Sequence, residues 1–330
     1  MTAKTLKHKK LIIALAIILI FIITFVATFF IIIKLGEKKL KENLVADELI
    51  NISDDYDYNA DVYHNGKAYN YNDDIVNILL LGVDKYTFLR DSQGQADALY
   101  LISLNTADKN VNVFSISRNT LVNVDMFDVE GDYFNSVNQQ ICLAYSYGRS
   151  DEQSSLNCAK SVSRLMYGIP INGYYTLYLD AIKDIVDTVG GVNVTLTEEF
   201  PDILPKNKIG DTVKIKGDIA VSYLRARGES NAPRVERQKA FISSFINSAK
   251  ATVSKDLSLP VKMYKKLKEC SVTDIDSSSA AYMALEALDA DFNILNLEGE
   301  YGFDGTYETF EVDEDKLYEM VLDKFYKLKE

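Results

Sequence analysis

The sequence predicts an α/β domain behind one N-terminal transmembrane helix. The 330 residues are 47% hydrophobic and 25% charged, which suffices for one large domain with a well-buried core. Short apolar segments rich in β-branched residues alternate with segments of helical spacing, a pattern typical of layered α/β architectures. The sequence has neither internal repeats nor a second domain boundary, so we expect a single domain.

The first predicted element is an apolar segment, residues 11–33, that contains no charged residue and no proline. Its 23 positions match the roughly 20 residues that a helix needs to cross a bilayer. A secretory signal peptide is the alternative, but its apolar core is usually about 7–15 residues long. Because this segment is longer and continues directly into Lys34, we predict an uncleaved membrane anchor preceded by a cytoplasmic segment, residues 1–10.

The charge distribution favours an extracytoplasmic position for the rest of the chain. Four lysines precede the apolar segment and four follow it, so the positive-inside comparison is nearly tied. Residues 1–42 carry eight lysines and two glutamates, so the remaining chain has a net charge of −18. The short N-terminal segment and this acidic bulk favour a single-pass protein of the cell membrane, with its N-terminus inside and its C-terminal domain outside. The acidic balance also argues against nucleic acid as a partner.

Residues 34–74 are predicted to form a juxtamembrane spacer, because most of this region is rich in Asp, Asn and Tyr and poor in aliphatic residues. Within it, Asn65-Gly66 separates two segments of good strand propensity. Asn-Gly suits a type I′ turn, so we expect a short hairpin here. The domain itself is expected to span residues 75–330.

The domain is predicted to begin with a buried strand over Ile75–Val83, an apolar and partly β-branched segment. Residues 98–104 and 111–116 flank a turn-rich link, which predicts paired strands. Helical spacing, glycines and a proline then predict the remaining elements. These are a helix over 152–167, a strand over 174–179, a helix over 181–189, a strand over 192–196, a helix that has Pro233 in its first turn and a terminal helix over 315–328.

The residue inventory excludes several common kinds of active site. The chain has only two histidines, His8 and His64, and three cysteines. A Ser-His-Asp hydrolase, a zinc protease, a His-rich metal site and a zinc finger are therefore poorly supported. The nucleotide-binding patterns GxGxxG and GxxxxGK[ST] are also absent from the sequence.

Half of the chain's eight arginines are clustered in one region. They are Arg225, Arg227, Arg234 and Arg237. Arg225 and Arg227 share a side wherever the chain is extended, and Arg234 and Gln238 share a face of the predicted helix. Since the guanidinium group binds phosphate bidentately, the cluster indicates a phosphate site. The alternative is a solvated helix face that pairs with Glu229 and Glu236.

Charged residues also lie at the ends of predicted strands. Asp84 directly follows the first strand, and Asp97 lies thirteen residues further on. Carboxylates at the ends of adjacent strands can share Mg²⁺; alternatively, Asp84 caps a turn and Asp97 begins a strand. Arg118 follows the predicted strand 111–116 and is well placed to line a cleft.

Eight sequence strings occur in one order along the chain. They are NILLLGVD (77–84), ADALYLISLN (96–105), FSISRNT (114–120), AYSYG (144–148), YGIPI (167–171), VGGV (189–192), AVSYLRAR (220–227) and RVERQ (234–238). Together with the N-terminal anchor, they resemble the LytR-CpsA-Psr family of cell-envelope proteins, over residues 77–325. The resemblance implies one family-type domain with a central mixed β-sheet layered with helices.

Members of that family are bacterial phosphotransferases. They move a glycopolymer, such as teichoic acid or capsule, from undecaprenyl diphosphate to peptidoglycan. The resemblance implies that the membrane lipid lies in an apolar groove beside the sheet, that Asp84 and Asp97 hold Mg²⁺, and that a peptidoglycan hydroxyl attacks. It assigns the diphosphate to Arg118, Arg225, Arg227, Arg234 and Gln238, and catalysis to the first three of these arginines.

Three positions depart from the family pattern. Asn119 and Asn231 stand where aspartates are common, and Gln140 stands where many members have lysine. An alternative function is therefore a polyprenyl-phosphate-binding or pyrophosphatase-like protein with little transferase activity. A DNA-binding regulator is disfavoured, because the ten-residue N-terminal segment is too short to fold and the large domain is acidic.

Cys142 and Cys158 flank the AYSYG string. Outside the membrane a disulfide between them is chemically permitted. It would close a loop of about 15 residues and stabilise the fold by roughly 3 kcal/mol. The alternative is that these two residues and Cys270 are three buried thiols.

Overall fold

Six strands form a mixed central sheet, which confirms the predicted α/β class. The computed structural model describes residues 27–45, 60–84, 94–226, 232–253, 255–256 and 259–329. The β3–β8 and β5–β12 pairs are parallel and the other neighbours are antiparallel. In spatial order the strands are β11 (Ser271–Thr273), β8 (Gly173–Tyr178), β3 (Ile75–Val83), β4 (Ala96–Asn105), β5 (Asn110–Ile116) and β12 (Asp291–Asn296).

Helices cover both faces of this sheet. The described helices are α1 (27–42), α2 (Leu143–Tyr147), α3 (Asp151–Leu165), α4 (Leu179–Thr188), α5 (Gly217–Arg225), α6 (Ala232–Val253), α7 (Leu259–Glu269), α8 (Ser277–Leu288) and α9 (Glu314–Phe325). Alternate residues of β3 point to opposite faces. Leu79 packs with α3 and α9 in the main core, whereas Ile78 packs with Leu40 of α1 and Tyr282 of α8.

The remaining strands form smaller sheets at the periphery. Three of these sheets are two-stranded and antiparallel, and one is three-stranded. The two-stranded sheets are β6 (Leu121–Phe127) with β7 (Tyr133–Gln140), β9 (Val192–Thr195) with β10 (Thr212–Ile215), and β13 (Gly299–Phe303) with β14 (Glu308–Val312). The three-stranded sheet contains β1 (Val62–His64), β2 (Lys67–Tyr71) and β15 (Tyr326–Leu328).

Most of the predicted elements are present. The strand over Ile75–Val83 and the predicted hairpin are confirmed, and Asn65 and Gly66 have the positive φ angles, 49° and 71°, that a type I′ turn requires. The terminal helix is shorter than predicted. It ends at Phe325, and Tyr326–Leu328 extend to pair with β2.

The hairpin β1–β2, predicted within the juxtamembrane spacer, pairs with the C-terminal strand of the domain. Strand β2 pairs with the C-terminal strand β15. Asn77 of β3 donates a hydrogen bond to the Tyr71 hydroxyl at 2.9 Å, and Lys327 forms an ion pair with Asp74 at 2.8 Å. A local polar composition gave no sign of this pairing, since the partner strand lies at the other end of the chain.

The predicted transmembrane segment lies largely outside the described residues, which begin at residue 27. Within the part that the structure describes, no helix is both long enough and apolar enough to cross a membrane. Helix α1 packs closely on α8 at Gly36. The two helices are so close there that a Cβ on Gly36 would lie 2.1 Å from the Ser278 carbonyl oxygen. Lys39 also forms an ion pair with Asp276.

Candidate active site

An apolar cavity of about 930 Å³ lies between the sheet and helices α4, α5 and α6. The small residues Gly82 and Ala98 face each other on β3 and β4, and they leave room above the sheet. The other apolar walls come from Leu80, Tyr100, Ile182, Val186, Val221, Leu224, Phe241 and Phe245. A cavity of this size and lining suits an apolar ligand with few polar groups.

Asp84 and Asp97, the two aspartates at the ends of predicted strands, both line this cavity. Asp84 follows the last residue of β3, and its amide donates to the Gln95 carbonyl at 3.2 Å. Gly82 pairs with Ala98 but Val83 pairs with Ala96, so Asp97 is the extra residue of a β-bulge. Because a bulge redirects a side chain, Asp97 lines the same cavity as Asp84.

Each aspartate is paired with one of the predicted arginines. Arg118 binds Asp97 through Nη1 and approaches the Gln95 side-chain oxygen and the Cys142 sulfur through Nη2. Arg225, at the end of α5, lies 3.1 Å from Asp84. The Arg118 side chain is 20% exposed and that of Arg225 is 49% exposed. Arg118 is therefore held in place by several contacts, whereas Arg225 has more freedom to move.

The surroundings of Arg118 keep it charged and keep its cysteine neighbour neutral. Burial by itself lowers the pKa of Arg118, but Cys142 and Asp97 outweigh burial and raise the pKa above its ordinary value. Burial raises the pKa of the Cys142 thiol, although the Arg118 guanidinium opposes this. Arg118 is thus a permanent cation beside a protonated thiol.

The predicted disulfide between Cys142 and Cys158 is not formed. All three cysteines are buried thiols that form no disulfide. The Cys142 sulfur is turned toward Arg118, from which it accepts a hydrogen bond at 3.4 Å. Cys158 is fully buried in the core beneath α3. The stability of this region therefore comes from core packing rather than from a covalent link.

The remaining predicted ligands are only partly described. Gln238 of α6 lines the cavity and accepts a hydrogen bond from the Tyr100 hydroxyl at 3.5 Å. Arg227 and Asn231 lie outside the described residues, as does the side chain of Arg234. The structure thus brings together Asp84, Asp97, Arg118, Arg225 and Gln238.

Arg237, the fourth arginine of the cluster, has a structural role. Its side chain is 1% exposed and pairs with Glu198 and with the Ala226 carbonyl. The guanidinium also lies over the rings of Phe200 and Tyr223, at 5.2 and 5.6 Å from their centroids. It therefore holds α6 to the loop after β9 and to α5.

Two of the departures from the family pattern contact each other. Asn119 donates to the Glu308 carboxylate at 2.8 Å, and Gln140 donates to the Asn119 side-chain oxygen at 3.2 Å and to the Glu308 carbonyl at 2.7 Å. The amides thus join β7, the segment after β5 and β14. The sequence gave no sign of Glu308, which is distant along the chain.

A smaller cavity of about 210 Å³ adjoins the charged end of the apolar one. Both cavities are lined by Asp97, Tyr100 and Gln238. The smaller cavity also reaches Glu236 and Tyr301, which the sequence did not single out. A composite site of this kind has no local signal, because its walls come from strands and helices far apart in the chain.

Comparison with known proteins identifies the family. The curated relatives include polyisoprenyl-teichoic acid--peptidoglycan teichoic acid transferase TagV of Bacillus subtilis (strain 168), 28% identical over 52% of this chain and 42% of that protein. They also include the Bacillus cereus (strain ATCC 14579) transferase TagU, 32% identical over 47% of this chain and 45% of that protein. The chain thus spans about half the length of these relatives.

The solved structures give the same fold. The crystal structure of B. subtilis TagV is similar with a TM-score of 0.58 and 24% identity, over 76% of this chain and 96% of that chain. The matched region of the chain includes each described residue of the candidate site, since residues 43–324 fit the LytR_cpsA_psr family. That match covers most of the chain, and the protein belongs to the LytR_cpsA_psr family.

Proposed function

We propose that this protein is a membrane-anchored phosphotransferase. In this proposal it moves a glycopolymer, a teichoic acid, capsule or similar chain, from undecaprenyl diphosphate to peptidoglycan. The observation that carries the proposal is the apolar cavity lined by Asp84, Asp97 and Arg225, with Arg118 paired to Asp97 beside it. A polyprenyl diphosphate is complementary to such a cavity, because its long apolar chain ends in a compact anion.

The arginines match the charge of such a substrate. Arg118 is held beside the cavity by Asp97, and Arg225 is half exposed beside Asp84. When a diphosphate enters, Arg225 can turn from the carboxylate to a phosphate oxygen, because both are anionic oxygen acceptors. Arg227, Arg234 and Gln238 are proposed to complete the diphosphate site on the strength of the family motif.

The aspartates suit a magnesium ion. Among the residues that the structure describes, no group of three or more His, Cys, Asp or Glu side chains is placed to hold a metal. Mg²⁺ commonly uses one or two protein carboxylates, with phosphate oxygens and waters as its other ligands, so Asp84 and Asp97 fit this requirement. Bound there, the ion would neutralise phosphate charge and polarise the phosphoryl oxygens.

The proposed reaction exchanges one bond to phosphorus for another. A hydroxyl oxygen of peptidoglycan bonds to the phosphorus that carries the glycopolymer, and the bond from that phosphorus to the bridging oxygen breaks. Polyprenyl monophosphate leaves, and the hydroxyl proton passes to a carboxylate or to solvent. Phosphoryl transfer depends mainly on positioning and charge stabilisation, which Arg118 and Arg225 are placed to provide.

The relatives support this substrate class. TagV and TagU are named for the transfer of teichoic acid from a polyisoprenyl carrier to peptidoglycan. The cell membrane as location and contact with membrane lipid are proposed from the apolar segment 11–33. The extracytoplasmic orientation is proposed from the short N-terminal segment and the acidic charge of the rest of the chain.

A second function is favoured by one observation. Asn119 and Gln140 form a neutral amide pair beside the site, where the family pattern has charged residues. Such a site could bind polyprenyl phosphates or hydrolyse the diphosphate with little transfer. The two functions differ in their product, because transfer yields a glycopolymer joined to peptidoglycan and hydrolysis yields a free glycopolymer phosphate.

Occupation of the cavity by lipid can be tested with two variants of helix α5. Ser222 lines the cavity, whereas Ile219 on the same helix is exposed and does not line it. Ser222→Trp should abolish binding of a polyprenyl diphosphate to the full chain, and Ile219→Trp should leave binding unchanged. Equal binding by both variants would contradict the proposal.

A further inference from the structure

The smaller cavity is placed to receive the second substrate. It is bounded by Asp97, Tyr100 and Gln238, which also bound the apolar cavity, and by Arg118. A molecule in the smaller cavity would therefore meet the charged end of a lipid in the larger one. Two substrates that exchange a phosphoryl group require such adjoining sites.

The lining of this cavity combines aromatic faces with hydrogen-bonding groups. Tyr301 and Phe310 come from the hairpin β13–β14, and their ring centroids lie 4.8 Å apart. The polar side chains of the cavity, besides Asp97, Arg118 and Gln238, are those of Ser115, Ser117, Asn119, Glu236 and Asn296. A sugar ring is complementary to this lining, because its hydroxyls form hydrogen bonds and its C–H face packs against aromatic rings.

The aromatic surface continues beyond the cavity. Phe303 follows Tyr301 by two residues on β13, so both side chains lie on the same face of the hairpin. Phe303 is 70% exposed. A ligand longer than one sugar could therefore extend from the cavity along the hairpin, as a glycan chain would.

We infer that the smaller cavity is the acceptor subsite, which binds a sugar of the peptidoglycan glycan chain with one hydroxyl directed toward Asp97 and Arg118. Glu236, which pairs with Lys239 at 2.6 Å, supplies a carboxylate that can accept a hydrogen bond from a sugar hydroxyl. This inference rests on the proposed function, and it deepens that function by naming the acceptor's binding residues.

Replacement of Tyr301 tests the acceptor subsite without changing the lipid site, since Tyr301 lines the smaller cavity and not the apolar one. The test uses the full chain in detergent and a disaccharide-peptide fragment of peptidoglycan as probe. Tyr301→Ala should weaken fragment binding by about tenfold, the loss expected for one aromatic contact. Binding of a polyprenyl diphosphate should be retained, because Tyr301 does not line the apolar cavity.

Three further variants sharpen this experiment. Tyr301→Phe keeps the ring and should retain fragment binding. Tyr307→Ala alters an exposed aromatic residue at the tip of the same hairpin, outside the cavity, and should have no effect. Glu236→Gln changes a residue on the surface of helix α6, so this variant tests the subsite even if Tyr301→Ala disturbs the hairpin. Glu236→Gln should also weaken fragment binding.

The outcomes distinguish failure of this inference from failure of the proposed function. Equal fragment binding by wild type, Tyr301→Ala and Glu236→Gln would overturn the acceptor subsite, as would the absence of fragment binding by wild type. A parallel loss of lipid binding in these variants would also overturn it, because the cavity would then belong to the lipid site. Selective fragment binding without any transfer product would leave the subsite supported and refute the transferase.

Discussion

Arg118 and Asp97 face each other across the ends of β5 and β4 and form an ion pair at the junction of the two cavities. The register explains this arrangement, because Leu99 of β4 pairs with Ile116 of the antiparallel strand β5. Asp97 lies two residues before Leu99 and Arg118 lies two residues after Ile116, so both are at the same edge of the sheet. The bulge at Asp97 then turns its carboxylate toward the cavity. Backbone pairing thus brings the arginine and the redirected carboxylate together, and side-chain contacts hold the arginine in place.

The clustered arginines should divide into two classes when they are replaced. Arg237→Ala should lower the free energy of unfolding by about 2–4 kcal/mol, because it removes a buried guanidinium that binds Glu198 and packs on two aromatic rings. Arg225→Ala, at a half-exposed position, should change stability by less than about 0.5 kcal/mol while it reduces transfer. Urea unfolding and activity assays measure both effects, and equal destabilisation by the two variants would contradict these roles.

The amide pair should be coupled to Glu308. Asn119→Asp places a second carboxylate against Glu308, which Asn119 contacts at 2.8 Å. We expect a loss of about 1–3 kcal/mol in stability from this like-charge contact. Adding Gln140→Lys should recover most of the loss, since the new cation would lie beside both carboxylates. A double-mutant cycle by urea unfolding tests the coupling, and strictly additive effects would disprove it.

The three thiols should be unreactive in the native protein. Cys142, Cys158 and Cys270 are buried and form no disulfide, and burial raises the pKa of Cys142 and Cys158. A thiol reagent should therefore label all three only after unfolding, and without prior reduction. Mass spectrometry of protein kept under non-reducing conditions would show three additions. One addition would instead indicate a disulfide.

Acid should loosen the contact between α1 and α8. Burial by itself raises the pKa of Asp276, but hydrogen bonds from Lys39, Ser278 and Ser279 outweigh it and hold the pKa below its ordinary value. A lowered carboxyl pKa contributes stability above the unfolded-state value, near pH 4, and that contribution is lost as the pH falls further. Asp276→Asn should therefore reduce the loss of stability between about pH 5 and pH 2, as measured by urea unfolding. An unchanged pH profile would count against this contact.

The strand ends that form the site were predictable, because their signals are local. Asp84 follows an apolar strand, and Arg118 follows another. The motif order then indicated that both belong to one site. The sequence could not separate Arg237 from Arg225, since two arginines in one cluster look alike until the packing of α5 and α6 is known.

The parts that were not predicted depend on contacts between distant segments. Tyr326–Leu328 continues a helical pattern but pairs with β2, which moves the hairpin from the spacer into the domain. Phe310 reaches the site because its strand bridges to Thr120. Neither pairing leaves a trace in the residues next to it, so Tyr301 and Glu308 were not singled out.

The central claim is that the charged end of the apolar cavity transfers a glycopolymer to peptidoglycan. The most direct measurement supplies the full chain with Mg²⁺, a polyprenyl-diphosphate glycan and peptidoglycan oligomers, and follows the covalent product by mass spectrometry. The account predicts product with wild type and a loss of about 10²–10³-fold with Arg118→Ala, with Ile219→Trp as active control. Free glycopolymer phosphate without conjugate, or full activity in Arg118→Ala, would contradict it.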